Sequence, residues 1–333
     1  MIGPRLPPEV ERLIFELALQ SYIQDATNLF LVAHRVREWL TPKAFEVVLI
    51  CDEEDFPTPF TMDKLKKYGR YVHYMCIAEH SLPGPNNSGY PDGIVSFCLS
   101  FCPNVISLAA WWGGLNARLD PSLLSKLPLT TMSIDPERLF AELTPPSVPP
   151  LSDFPQSPTH TPEQIPPEPL FSGIAHLEIL NEDTSIFGHP NQKLVLILHF
   201  PNLTHIALPR WRGAKATNLL FFLENCQNLK ALILWSSGSV GLDSEGAEMV
   251  PMEVRHDERL VVMRCSRVED WKKGARGTGY DMWSFADMVL NQRRLGPGWR
   301  RTGQAREWAS QGSIRVSSSE QSIDVVVSRL VAQ

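Results

Sequence analysis

Several absences narrow what this chain can do before any motif is read. No apolar run has bilayer length. The longest, residues 194–200, is about a third of a membrane span. No basic segment followed by an apolar stretch opens the chain, so a soluble protein of the cytoplasm or nucleus is expected. The phosphate-cradling patterns Gly-x-x-x-x-Gly-Lys-Ser/Thr and Gly-x-Gly-x-x-Gly are missing, and Gly274, Gly277 and Gly279 have the wrong spacing for either. There is no Gly-x-Ser-x-Gly elbow. The nine histidines are dispersed, with no His-x-x-x-His pair. The six cysteines (51, 76, 98, 102, 226 and 265) lack paired spacing, and Cys98 and Cys102 have no second pair to complete a zinc site. Buried free thiols in a reducing compartment are the expectation. The run Asp52-Glu53-Glu54-Asp55 is a solvated acidic turn rather than a placed acid/base pair. Neither a catalytic residue nor a cofactor or metal is therefore expected, and an enzyme has no motif to rest on. A net charge of −6 gives no reason to expect a membrane or nucleic acid as partner.

Against these absences, residues 6–40 are dense in helix signals. Pro7 and Pro8 suit a first helical turn, and Glu9 and Glu11 favour its positive end. Val10, Leu13, Ile14, Leu17 and Ala18 form one apolar stripe at helical spacing. Phe15 and Leu19 lie beside it, four apart, as a second and partly exposed patch. Asp25 or Thr27 can cap the next helix, whose inner face is expected to carry Leu29, Val32, Val36 and Trp39 or Leu40. Thr41-Pro42 reads as another cap, leading to strand character at Val47, Val48, Leu49 and Ile50. Fifty residues bury little surface alone. This unit either docks a partner as a handle or covers the end of the domain behind it as a cap. Phe15 separates the two, exposed in a handle and buried in a cap.

Leu6-Pro7-Pro8-Glu9 with Ile14-Phe15, followed by Val32, Val36 and Trp39, resembles an F-box, in the F-box-like form common in large fungal families. The resemblance spans about 45 residues. It departs from the usual pattern at residues 20–27 and at Ala33-His34-Arg35. It implies a small helical domain over residues 1–50 that docks a Skp-type adaptor of a cullin–RING ubiquitin ligase. Leu6, Pro7, Ile14, Phe15 and Leu19 would make the contact, supported by Val32, Val36 and Trp39.

The body, residues 51–295, repeats the pattern apolar-x-x-apolar-x-apolar. Its middle positions are Met75, Leu108, Met132, Leu177, Ile206, Leu232 and, weakly, Met263, spaced by 33, 24, 45, 29, 26 and 31 residues. Three copies follow an asparagine, at Asn104-Val105, Asn202-Leu203 and Asn228-Leu229, and residues 94–101 and 216–225 look helical. The pattern resembles the degenerate leucine-rich repeats found behind F-boxes. The fold expected is α/β, a small helical unit followed by an irregular leucine-rich-repeat solenoid; an ordinary α/β layer structure is the competing reading.

The spacing of 45 marks an insertion. Residues 144–169 hold ten of the 28 prolines and should be an exposed, largely disordered loop. Thr144, Ser157 and Thr161 precede prolines there, which suits proline-directed phosphorylation as well as a plain surface insertion. Residues 296–333 read as a flexible tail.

Alternation along repeat strands puts one set of side chains in the core and the other on a concave sheet used for binding. That exposed ladder is expected to be Tyr74 and Cys76; Ser107, Ala109 and Trp111; Thr131 and Ser133; His176 and Glu178; His205 and Ala207; Ala231, Ile233 and Trp235; and Arg264. Trp111, His176, Glu178, His205, Trp235 and Arg264 supply the mix of aromatic and charged groups suited to holding a target protein. Residues 255–306 interleave basic groups with Trp271, Trp283 and Trp299. A helix over 281–293, bearing Trp283, Phe285, Met288 and Val289, is expected to close the last repeat as a solvated end cap. The functional expectation is a substrate-recognition adaptor for an unknown target protein. The alternative is a scaffold whose N-terminal helices only cap the solenoid.

Overall fold

Eight apolar segments of four to six residues set the architecture, each too short to stand alone and several apolar on both faces. The computed structural model describes residues 6–21, 26–50, 62–78, 94–111, 119–134, 169–180, 199–209, 216–236 and 251–295. The insertion at 144–169, apart from Pro169, and the tail at 296–333 lie outside the described residues.

The chain begins with three helices: α1 (Pro8–Ser21), α2 (Ala26–Val32) and α3 (His34–Ala44). Strands and short helices follow among the described residues. These are β1 (Val47–Ile50), α4 (Met62–Tyr68), β2 (Tyr74–Ala78), α5 (Ile94–Ser100), β3 (Ser107–Trp111), α6 (Pro121–Leu124), β4 (Thr131–Ile134), β5 (His176–Ile179), β6 (His205–Pro209), α7 (Ala216–Asn225), β7 (Ala231–Ser236), α8 (Met252–Arg255) and β8 (Leu260–Arg264). Two helices follow, α9 (Arg267–Arg276) and α10 (Met282–Leu295).

The strands form one parallel sheet whose order follows the chain, β1 to β8. One register row runs Val48, Met75, Leu108, Met132, Leu177, Ile206, Leu232, Leu260. The apolar repeat thus places one strand per copy, with two corrections. Val48 supplies an additional first member. In β8 the row falls on Leu260, because Met263 pairs with Trp235, so the last copy is three residues out of the register read from its pattern.

The same backbone step joins consecutive strands. The carbonyls of Glu46, His73, Ile106, Thr130, Ala175 and Thr204 each accept from two successive N–H groups leading the next strand. The recurrent asparagines reinforce it. Asn104 Nδ2 donates to the Arg70 carbonyl at 2.7 Å, Asn202 to Ser172 at 2.8 Å and Asn228 to Pro201 at 3.3 Å. Each ties one turn to the preceding one, a contribution of about 1 kcal/mol. At Gly69 a Cβ would lie 2.2 Å from the Phe101 carbonyl oxygen, so only glycine lets the two turns approach this closely.

Parallel strands need crossovers, and these place helices on one face of the sheet. The main core forms there. Leu65 of α4, Val95 and Leu99 of α5, Leu124 of α6, Leu219 and Phe222 of α7 and Val254 of α8 pack on the Met75–Leu260 row and on Ile77, Ile134, Ile179, Leu208 and Leu234. Cys98, Cys102 and Cys226 are buried free thiols in this core, and burial pushes their pKa values up to about 11, 12 and 11. Cys51 lies outside the described residues.

The N-terminal helices build a separate small core of Leu19, Val36 and Leu40, joined by Phe15, Leu29, Phe30 and Trp39. An ion pair in which Arg35 Nη2 donates to both Glu11 carboxylate oxygens (2.6 and 2.9 Å) ties α3 to α1. This packing reverses the sequence expectation for α1. The patch expected to be spare, Phe15 with Leu19, is the inward face, and Leu19 is 1% exposed. Two further expectations are corrected. Ala33, extended at φ −163°, separates α2 from α3 and leaves Val32 outside. Pro42 does not begin a helix but sits inside the last turn of α3, where it removes one i→i−4 donor.

Candidate protein-interaction surfaces

The first surface is the outer side of α1 and α2. Leu6, Val10, Leu13, Ile14 and Leu17 recur at helical spacing and are all exposed, with Ile14 at 49% and Leu17 at 53%; Leu31 and Val32 are exposed on α2. A soluble surface rarely carries so many large apolar side chains together without a role. Among the adaptor-docking residues expected, Leu6, Pro7, Ile14 and Val32 are exposed, Phe15 and Trp39 are half-buried, and Leu19 and Val36 are buried supports. Leu13 and Leu17 belong to this surface, and their place in the stripe is the signal that identifies them.

The second surface is the far side of the sheet. Register confirms the facing of the expected ladder: Tyr74, Ser107, Thr131, His176, His205 and Ala231 form one row, and Cys76, Ala109, Ser133, Glu178, Ala207 and Ile233 the next. In β8, register assigns Val261 to the second of these rows and Met263 beside Trp235, so Arg264 is not a ladder position.

The ladder is not an open concave surface. Helices α9 and α10 lie across it, where the sequence suggested a cap at the end. Met282, Trp283, Ala286 and Leu290 of α10 pack on Ala207, Ala231, Ile233, Trp235, Val261 and Met263. Val268 and Trp271 of α9 pack with Leu49, Cys76, Ala109 and Trp111. Gly277 in the left-handed conformation (φ 65°) ends α9, and Asp281 caps α10 by accepting from Ser284 N at 2.8 Å. Arg293 then donates to the Leu260 carbonyl at 2.6 Å and pins α10 to the edge strand. Trp111, Glu178, His205 and Trp235, expected to be exposed, are 7%, 1%, 2% and 3% exposed.

Each of these residues is engaged by a C-terminal helix. The Arg267 guanidinium lies between two indoles, 4.2 Å from the Trp235 ring centre and 5.5 Å from that of Trp111. Its Nε faces Glu178 Oε1 at 3.3 Å. Glu178 Oε2 accepts from the Ser133 hydroxyl, which in turn accepts from Trp111 Nε1 at 2.7 Å. Burial raises the Glu178 pKa, opposed by Arg267, Ser133 and Trp111. On α10, Trp283 stacks on His176 (5.2 Å, 12°) and meets His205 edge to face. Asp287 reaches His205 Nε2 at 3.2 Å, and Thr204 Oγ1 lies 2.8 Å from its Nδ1. Burial and the neighbouring His205 lower the His176 pKa to about 4. Burial also lowers that of His205, against the pull of Asp287.

Among the described residues no group of three or more His, Cys, Asp or Glu side chains is placed to hold a metal, and no helix is long and apolar enough to cross a membrane. No protein-family model, no curated protein and no solved structure matches the chain.

Proposed function

We propose that this chain is a substrate-recognition adaptor of a cullin–RING ubiquitin ligase. In this reading α1–α3 are an F-box-like unit docking a Skp-type adaptor, and the sheet is an irregular leucine-rich-repeat solenoid that selects a target protein. The observation that carries it is the exposed stripe Leu6, Val10, Leu13, Ile14 and Leu17 on a unit that has its own core. The unit is closed by Leu19, Val36 and Leu40, so the stripe is not needed to hold the helices together. Such an adaptor does no chemistry. It raises the effective concentration of its target beside the ubiquitin-charged enzyme.

The scaffold reading, with α1–α3 only capping the solenoid, draws support from the inward Phe15–Leu19 face and from the direct run of α3 into β1. The two separate at Ile14 and Leu17 rather than at Phe15. Introducing charge at exposed positions leaves folding nearly untouched. The double variant Ile14→Asp, Leu17→Asp is therefore expected to keep its circular dichroism and thermal midpoint and to lose capture by purified Skp-type adaptor. Equal capture by variant and wild type, or none by wild type, removes the ligase reading.

A further inference from the structure

We propose that the helix-covered face of the sheet contains a binding pocket for an arginine side chain of a partner protein, and that Arg267 occupies this pocket in the free chain. The inference rests on reading this face as the target-binding surface and is independent of what docks on α1.

The pocket is built by the sheet alone. Across β3 to β6 one register row reads Ala109, Ser133, Glu178, Ala207, so a carboxylate stands on a floor of small side chains. One step along the strands, Trp111 on β3 and Trp235 on β7 rise as walls on either side. A buried carboxylate flanked by two indoles whose faces meet the same guanidinium selects a planar cation. Arginine fits it better than lysine, because a guanidinium stacks on aromatic rings while its edge hydrogen-bonds to an acid.

Arg267 fills this pocket and answers its charge, but leaves its hydrogen bonding incomplete. Its Nε is within ion-pair distance of Glu178 Oε1, yet neither atom makes a hydrogen bond. Trp235 Nε1, on the wall beside the guanidinium, is also buried without an acceptor. The Arg267–Glu178 contact is thus an ion pair without hydrogen-bond geometry, and Trp235 Nε1 beside it has no acceptor, whereas buried polar groups are ordinarily paired. A peptide crossing the face can answer Glu178 Oε1 with the terminal N–H groups of an arginine and Trp235 Nε1 with a main-chain carbonyl. Arg267, fixed to the first turn of α9, approaches with Nε and does neither.

The helix that carries the occupant is the less deeply packed of the two. The Arg267 side chain is 26% exposed, and α9 meets the sheet through the partly buried Val268 and Trp271, whereas α10 buries Met282, Trp283, Ala286 and Leu290. Displacement of α9 with α10 in place is the cheaper opening.

The test uses the full chain, with N-acetyl-arginine methylamide as probe and its citrulline counterpart, which has the same shape without the charge, as control. Arg267→Gln removes the internal competitor and retains much of the aliphatic stem. The variant is expected to bind the arginine probe on the order of tenfold tighter than wild type by calorimetry, because an intramolecular competitor acts at high effective concentration. It should bind citrulline far more weakly, and adding Glu178→Gln should abolish the preference. In wild type, saturating arginine probe is expected to accelerate amide exchange across Arg267–Arg276, and citrulline is not. Equal binding of the two probes by a folded Arg267→Gln protein, or no binding, overturns the proposal and leaves Arg267 as a helix-packing contact. Should that variant fail to fold, unchanged wild-type exchange in α9 at saturating probe overturns it. Neither readout involves the adaptor, so the two proposals fail separately.

Discussion

A carboxylate with 1% of its surface exposed persists only if its surroundings answer it, and Glu178 has Ser133, Trp111 and Arg267 arranged for that purpose. His176 is a similar case with a measurable consequence. Its folded pKa of about 4 lies below the ordinary 6.5, so the unfolded chain takes up a proton first as pH falls. The stability it affects is complete above about pH 6.5 and is lost progressively towards pH 4. By pH 5 the loss is about 2 kcal/mol. His205 is shifted in the same direction and adds to it. His176→Phe, which keeps an aromatic ring against Trp283, is expected to flatten the decline in urea midpoint between pH 7 and pH 5. An unchanged decline would remove His176 as its source. At this scale the sequence disclosed which way these side chains face, since alternation along a strand is local. It did not disclose that they are covered, because their partners Arg267, Trp283 and Asp287 come from helices far along the chain.

Among the elements, α1 shows how a helix can carry two apolar faces and leave their assignment open. Val10, Leu13, Ile14 and Leu17 form the wider stripe, yet Phe15 and Leu19 face inward. Hydrophobic spacing marks both faces and cannot rank them. The ranking is made by α3, whose Val36 and Leu40 sit against Leu19 while Arg35 holds Glu11. Phe15→Ala is accordingly expected to destabilise the N-terminal unit by about 1–3 kcal/mol. Chemical denaturation monitored by circular dichroism measures this against the near-neutral Ile14→Asp, Leu17→Asp variant. Equal stability of the two would show that Phe15 is not part of the small core. The strands were more legible, because apolar-x-x-apolar-x-apolar copies with a leading asparagine specify both a strand and its turn. Only β8 was misread in register. Its Leu260, Val261, Val262 and Met263 are apolar in succession, so its pattern fits more than one alignment.

For the whole molecule, the decisive feature is the pair of C-terminal helices that convert a two-layer arrangement into three layers. Trp283 is 6% exposed and bridges His176, His205 and the sheet beneath α10. Trp283→Ala is expected to cost about 3–5 kcal/mol, as for other buried aromatic truncations. The loosened α10 should also show as faster proteolysis within residues 282–295. A loss under about 1 kcal/mol, with unchanged proteolysis, would mean that α10 is held mainly through Arg293 and Leu290.

The sequence by itself determined the α/β character, the places of the strands, the face each residue takes in β2 to β7 and the place of the N-terminal helices. All of these rest on local spacing and turn chemistry, which act over a few residues. Only the tertiary structure decided which side of α1 is free and whether the ladder from Tyr74 to Trp235 is open. Those outcomes depend on which distant apolar and charged groups meet, and spacing along one segment carries no information about a partner far away in the chain. The result is an exposed α1 stripe and a sheet face whose pocket is held by Arg267.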